Sequence, residues 1–284
     1  MKNGTSQLSN RLLGYPADAR LLIINADDFG MCHSINEAIF GVLQAGIVRS
    51  TTLMVPCPWA LHALRFLKDH PEISFGIHLT VISDWADYRW GPVAPRDKAP
   101  SLVDKAGYFY NFEQIHECLA QISLADLETE FRTQIEAVLE TGLQPTHLDW
   151  HALRFGNRED IPELMLRLAR EYGLALRVIG QSWREKAQSQ GLPTIDYDFL
   201  DSYLLDPATK AARYTELLRE LPAGLSEWAV HPGLANAELR AIDPDGYHFR
   251  QTDFDFLISP QAKDIVIEEG IILLDYRALQ DVWK

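Results

Sequence analysis

The sequence predicts an α/β fold, a distorted (β/α) barrel of about seven parallel strands resembling a TIM barrel. Three observations predict it. Seven short apolar runs alternate with segments of helical periodicity, the pattern of parallel βα units. The turn after the first run reads ADDFGMCHS rather than GxGxxG, which disfavours a dinucleotide-binding open sheet. The length of 284 residues suits one barrel, which commonly needs about 250. Residues 1–284 are therefore expected to form one domain, with 1–19 as a polar arm ahead of the core.

The elements follow in order. Residues 21–25 (LLIIN) are near-continuously apolar, as in a strand buried on both faces, and stop at Ala26-Asp27-Asp28. Ser34-Ile35-Asn36-Glu37 fits a capping box, and the helical pattern behind it runs to Ala45 and stops at Gly46. Residues 50–55 read as a strand, 59–69 as a helix, and 74–79 as a strand ending in His78-Leu79. Residues 80–110 are rich in Trp, Tyr, Pro and Gly, and a connection this long is commonly functional. Helices are expected over 112–121 and 124–141, a strand over 146–150, a helix over 160–172 and a strand over 175–178. A helix over 206–220, a strand over 227–230, a helix over 252–269 broken at Ser259-Pro260, and a last strand over 271–274 complete the pattern.

Composition excludes several classes of function. A net charge of −14 opposes non-specific binding to nucleic acid or anionic membranes, which needs a Lys/Arg excess. No stretch reaches the roughly 18 apolar residues of a membrane helix, and the first residues lack the apolar region of a signal peptide. Cys32, Cys57 and Cys118 form no CxxC or zinc-ribbon spacing. They are expected to be free thiols of a cytoplasmic chain.

Polar, metal-competent residues sit where apolar strands end: Asp27 and Asp28, His78, then His147, Asp149 and His151, then His231. In parallel α/β folds the carboxyl ends of the strands open onto one face, which carries the active site. Asp27-Asp28 reads either as a solvated turn or as a division of labour, with one carboxylate on a metal and the other a general base. His147 and His151 converge in either secondary structure, and one of them can be a core histidine. His and carboxylate ligands suit zinc or another first-row ion. His231, before Pro232-Gly233, either protonates a leaving group or caps its strand. His33, His62, His70, His116 and His248 lack strand-end context and read as surface or helix residues. Trp85, Tyr88, Trp90 and Tyr108 either stack on sugar faces or pack on one another.

The blocks LLIINADDFGMCHSINEAI, STTLMVP, FGIHLT, PTHLDWH, EYGLALRV and AVHPG resemble the YdjC-like carbohydrate deacetylases, also called the ChbG/HpnK family, from about Leu21 to Tyr276. The resemblance implies a distorted barrel, often a homodimer. It implies amide hydrolysis that removes acetyl groups from an N-acetylated sugar or oligosaccharide, with one divalent ion, Mg2+ or Zn2+. It implies Asp28, His78 and His151 as metal ligands, Asp27 as catalytic base and His231 near the leaving group. One segment departs from the family pattern D-S-H-x-H-x-H: His151 is retained, while Leu153 and Phe155 stand in place of the later histidines. Two rival readings are a metal-dependent barrel enzyme acting on other sugars or phosphoesters, and a non-catalytic sugar-binding or regulatory protein on the same barrel. Phosphate release would mark the first, and sugar binding without acetate release the second.

Overall fold

The computed structural model describes residues 8–152 and 158–284; Leu153 and Phe155 lie outside them. In chain order the elements are α1 (Leu8–Leu12), β1 (Arg20–Phe29), α2 (His33–Ala45), β2 (Ser50–Leu53), α3 (Ala60–Asp69), β3 (Ser74–Leu79), α4 (Ile115–Gln121), α5 (Leu124–Leu139), β4 (His147–Trp150), α6 (Asp160–Tyr172), β5 (Ala175–Leu176), α7 (Gln181–Ser189), β6 (Leu200–Asp201), α8 (Lys210–Arg219), β7 (Gly224–Val230), α9 (Ala237–Ile242), α10 (Tyr247–Leu257), α11 (Pro260–Glu268), β8 (Ile272–Leu274) and α12 (Tyr276–Trp283). Seven strands form one path, β5-β4-β3-β2-β1-β7-β6, and β8 joins it at β1. The paired strands are parallel. The result is the expected barrel-like α/β fold, left open between β5 and β6 among the described residues.

β1 is the central strand. It is buried throughout except at Arg20, which is why its sequence is nearly all apolar until the two aspartates. β7 pairs along one edge from Arg20 to Ala26. The other edge is shared, with β8 beside residues 21–23 and β2 from Asn25 onward. The two-residue β6 was not expected, since so short a strand carries no alternation to read.

Three expectations need correction. The arm is not wholly outside the body: α1 lies within it, with Ser9 donating to the Thr194 carbonyl (2.5 Å) and Asn10 to those of Pro16 and Ala19 (2.9 Å each). These two buried polar side chains tie α1 down where an apolar count sees only a polar segment. The Ser34 capping box does not form. Glu238 of α9 takes its place, accepting from the Ser34 amide (2.7 Å) and the Ser34 hydroxyl, so a carboxylate distant in sequence satisfies the helix start. Finally, β1 does not stop before the acidic pair. It continues through Asp27 and Asp28 to Phe29.

The break at Ser259-Pro260 is present and has a plain cause. Ser259 caps α11, accepting from the Ala262 amide (3.2 Å), with Pro260 at the first helical position. Among the described residues no helix is long and apolar enough to cross a membrane.

Candidate active site

Adjacent residues of a regular strand point to opposite faces, so Asp27 and Asp28 would ordinarily diverge. They do not, because Asp28 adopts the left-handed conformation (φ 72°) at a shift in the β1–β2 register between Ala26 and Phe29. Aspartate tolerates this conformation better than most residues. Both carboxylates then lie near His78 of β3.

Asp28 is the point of convergence. Its Oδ1 lies 3.5 Å from His78 Nε2 and 3.2 Å from His151 Nδ1. Its Oδ2 accepts from Arg250 Nη2 of α10 at 2.7 Å. All four side chains are buried. Each imidazole is held at its other nitrogen by a carboxylate: His78 Nδ1 by Asp149 (2.7 Å) and His151 Nε2 by Asp84 (2.5 Å). Burial alone would lower both histidine pKa values. Asp149 and Asp28 instead push His78 up to about 10, and Asp84 and Asp28 push His151 up to about 9.

Asp27 has different partners. Arg177, just after β5, grips it with both ends of its guanidinium, Nη1 to Oδ2 (2.7 Å) and Nη2 to Oδ1 (2.9 Å). Asn25 donates to Oδ1 at 2.7 Å. Burial works to raise the Asp27 pKa. The Arg177 charge and hydrogen bonds outweigh it, helped by the charges of His78 and His231, and hold the carboxyl well below its ordinary range. Arg177 also pairs with Asp149 (2.8 Å) and Glu227 (2.8 Å), and Glu227 accepts from the Tyr276 hydroxyl at 2.7 Å.

His231, after β7, is held by a chain of hydrogen bonds. Ser202 donates to Asp253 (2.5 Å), so its oxygen is left to accept from His231 Nδ1 (2.8 Å). Asp253 also accepts from the His231 backbone amide (2.8 Å) and from Lys210 and Tyr214 (2.9 and 2.8 Å). The Nδ1 proton is thereby fixed, and Nε2 remains for chemistry.

The structure thus brings Asp28, His78 and His151 together, with Asp27 beside them. His147 stands apart as a core residue. It stacks on Tyr276 (3.5 Å between ring centroids, 8° between planes) and bonds Thr146 Oγ1 at 2.9 Å. Burial and the Arg177 charge keep it neutral. Trp90 is buried and donates to the Ile82 carbonyl (2.9 Å), while Tyr88 donates to the Met31 carbonyl (2.7 Å). These two aromatics of the long connection pack the protein. Sequence reading gave no role to Asp84, Arg250, Glu227 or Asp253. Glu227 carried a usable signal, a charge inside an apolar strand. Arg250 and Asp253 sit on a helix with no such mark.

The donor set fits a divalent cation. Bonds of about 2.0–2.1 Å in tetrahedral geometry put ligand atoms roughly 3.3 Å apart, close to the separations Asp28 makes with the two histidines. The charge balance agrees. Among the side chains that pair directly here, five buried carboxylates (Asp27, Asp28, Asp149, Glu227 and Asp243) face two guanidiniums (Arg177, Arg250). Negative charge is in excess, which favours protonated histidines or a bound cation at this point. Buried charge without such compensation is costly.

Comparison with known proteins places this architecture. The family model of the YdjC-like proteins matches residues 21–268. A carbohydrate deacetylase of Enterococcus faecalis is 30% identical over 266 residues, spanning 91% of this chain and 97% of the relative. One of Geobacillus stearothermophilus is 32% identical over 259 residues, spanning 91% and 97%. The crystal structure of an Enterococcus faecalis protein provisionally assigned to cellobiose-phosphate cleavage superposes with a TM-score of 0.78 at 30% identity, covering 92% of this chain and 99% of that one. With a match over most of its length, from the first core strand to the end of α11, the chain belongs to the YdjC-like protein family.

Proposed function

We propose that this carbohydrate deacetylase is metal-dependent and removes the acetyl group of an N-acetylated sugar or oligosaccharide by amide hydrolysis. The observation that carries the proposal is the juxtaposition of an N2O ligand set, Asp28, His78 and His151, with an ionised carboxylate, Asp27. The names of its relatives supply the substrate class.

When bound, a divalent ion such as Zn2+ or Mg2+ supplies Lewis-acid polarisation of the amide carbonyl and acidifies water. The chain's own residues do the rest. Asp27 takes a proton from the attacking water. Its lowered pKa keeps it ionised and free to accept that proton. Arg177 keeps Asp27 ionised and aims it. His231, oriented through Ser202 and Asp253, acts as an imidazolium that passes its Nε2 proton to the departing amine and is left neutral with its proton on Nδ1. A C–N bond breaks, water is consumed, and acetate and the free amine leave. A cytoplasmic location belongs to the same reading, supported by three unpaired, buried cysteines.

Metal-loaded protein is incubated with a panel of N-acetylated sugars, with free acetate as readout. Asp27→Asn should keep metal binding and lose turnover by about 10²–10⁴-fold, the usual reach of a general base. His151→Ala should lose metal by elemental analysis. Near-normal turnover in Asp27→Asn would remove the base assignment, and sugar binding without acetate would point to a non-catalytic protein.

A further inference from the structure

The two histidines beside Asp28 turn opposite nitrogens toward it, His78 its Nε2 and His151 its Nδ1. Their supports differ as well. Asp149, behind His78, is fully buried in β4 and pinned by Arg177. Asp84, behind His151, belongs to the long connection after β3. We propose that Asp84 is a positioning residue for the metal site: by holding the Nε2 proton of His151 it leaves Nδ1 as the ligand atom beside Asp28, and so ties the 80–110 connection to metal occupancy. This inference rests on the metal reading given above.

The chemistry is direct. A neutral imidazole has one N–H and one lone pair. Asp84 Oδ1 lies 2.5 Å from His151 Nε2, so a shared proton sits there and the lone pair falls on Nδ1. The main chain is already set, because the His151 amide donates to the Leu79 carbonyl at 2.9 Å. Only the ring is left for a side chain to orient, and a carboxylate behind a ligating histidine both orients it and raises its basicity. The same connection is fastened nearby. Tyr88 bonds the Met31 carbonyl, Trp90 bonds the Ile82 carbonyl, and the Trp90 ring centroid is 6.3 Å from that of His151. An ion that holds the His151 ring therefore also holds Asp84 and the segment that carries it.

Zn2+ alone, titrated into metal-free protein against a chelator, is the probe, with wild type, Asp84→Ala and Asp84→Asn compared. Asp84→Ala should bind zinc roughly 10–100-fold more weakly. Asp84→Asn keeps an acceptor for the Nε2 proton and should lose less. Nitrogen spectra of zinc-loaded wild type should show His151 bound through Nδ1 with Nε2 protonated. Zinc should slow amide exchange over residues 84–90 in wild type but not in Asp84→Ala. Zinc affinity of Asp84→Ala within twofold of wild type, or His151 bound through Nε2, overturns the inference. The wild-type nitrogen spectrum decides the matter even if Asp84→Ala does not fold. Absence of zinc binding by wild type overturns the metal reading itself, a separate result.

Discussion

Arg177 and Arg132 each face more than one carboxylate, but water reaches only the second. Arg177 is 3% exposed and bonds Asp27, Asp149 and Glu227. Arg132, on α5, is 26% exposed and bonds Glu128 and Glu171, while Arg167 bonds Glu128 from α6. The distances are nearly the same, 2.7–2.9 Å. Their energetics are not. A solvated pair is worth about 0–1 kcal/mol. A buried one must first strip water from every charge, a cost that well-packed apolar residues avoid. An interior network of charges is thus a poor way to gain stability. Its position around Asp27, at the strand ends, is where the proposed chemistry would need it.

The largest test of this contrast is Arg177→Met. It leaves three buried carboxylates without their common cation, and breaking such a network should lower the unfolding free energy by about 3–5 kcal/mol. Urea unfolding measures it. A loss under 1 kcal/mol would mean that water enters the interior freely. Turnover should fall as well, because Asp27 loses its grip, and Arg177→Lys should recover only part of it, since an ammonium cannot reproduce the two-pronged contact.

Removing the ion from the metal-loaded protein comes next. An ion that binds only the folded state adds RT ln(1 + [M]/Kd), about 2.7 kcal/mol at a hundredfold excess over Kd. The midpoint of unfolding should fall on chelation, and the fall should vanish in His78→Ala. An unchanged midpoint in wild type would argue that the charge balance is met by protonated histidines alone.

A smaller effect lies under the network. Gly76 faces His147, and a Cβ at Gly76 would fall 2.5 Å from the His147 ring. Gly76→Ala should cost about 1–3 kcal/mol through overpacking. Because the strain is shared, His147→Ala in the same chain should cost less than the two single changes together. Strict additivity in a double-mutant cycle would show that the ring moves aside freely.

The same positions show what a sequence can and cannot announce. Asp28 and His78 were legible because each interrupts a largely apolar strand near its carboxyl end, and His151 because it directly follows one, where burial makes a polar residue conspicuous. The parallel fold was legible for the same reason, since apolar runs and helical periods alternate. The left-handed turn at Asp28 was not, because one backbone angle leaves no mark in residue type. Arg250 lies 222 residues from Asp28, and Arg177 150 residues from Asp27. Arg177 lies in the EYGLALRV block, but nothing in one chain's local pattern says which carboxylate it meets. Asp84 was hidden in a connection whose composition looked merely aromatic.

The surface network provides the smallest test and the control for the others. The charges and hydrogen bonds of Arg167 and Arg132 lower the Glu128 pKa from 4.5 to about 2. Its folded pKa is therefore below its unfolded one. The stability it contributes is present above pH 4.5 and is lost as pH falls toward 2. Solvent screening discounts that contribution to less than about 1 kcal/mol at neutral pH. Glu128→Gln should accordingly shift the urea midpoint slightly at pH 6, and the difference from wild type should close as acid protonates Glu128. Salt at 1 M should erase it as well, since the screening length there is about 3 Å, while leaving the Arg177→Met deficit largely in place. A Glu128 effect as large as that of Arg177, or one that survives high salt, would show that exposure is not what separates the two networks.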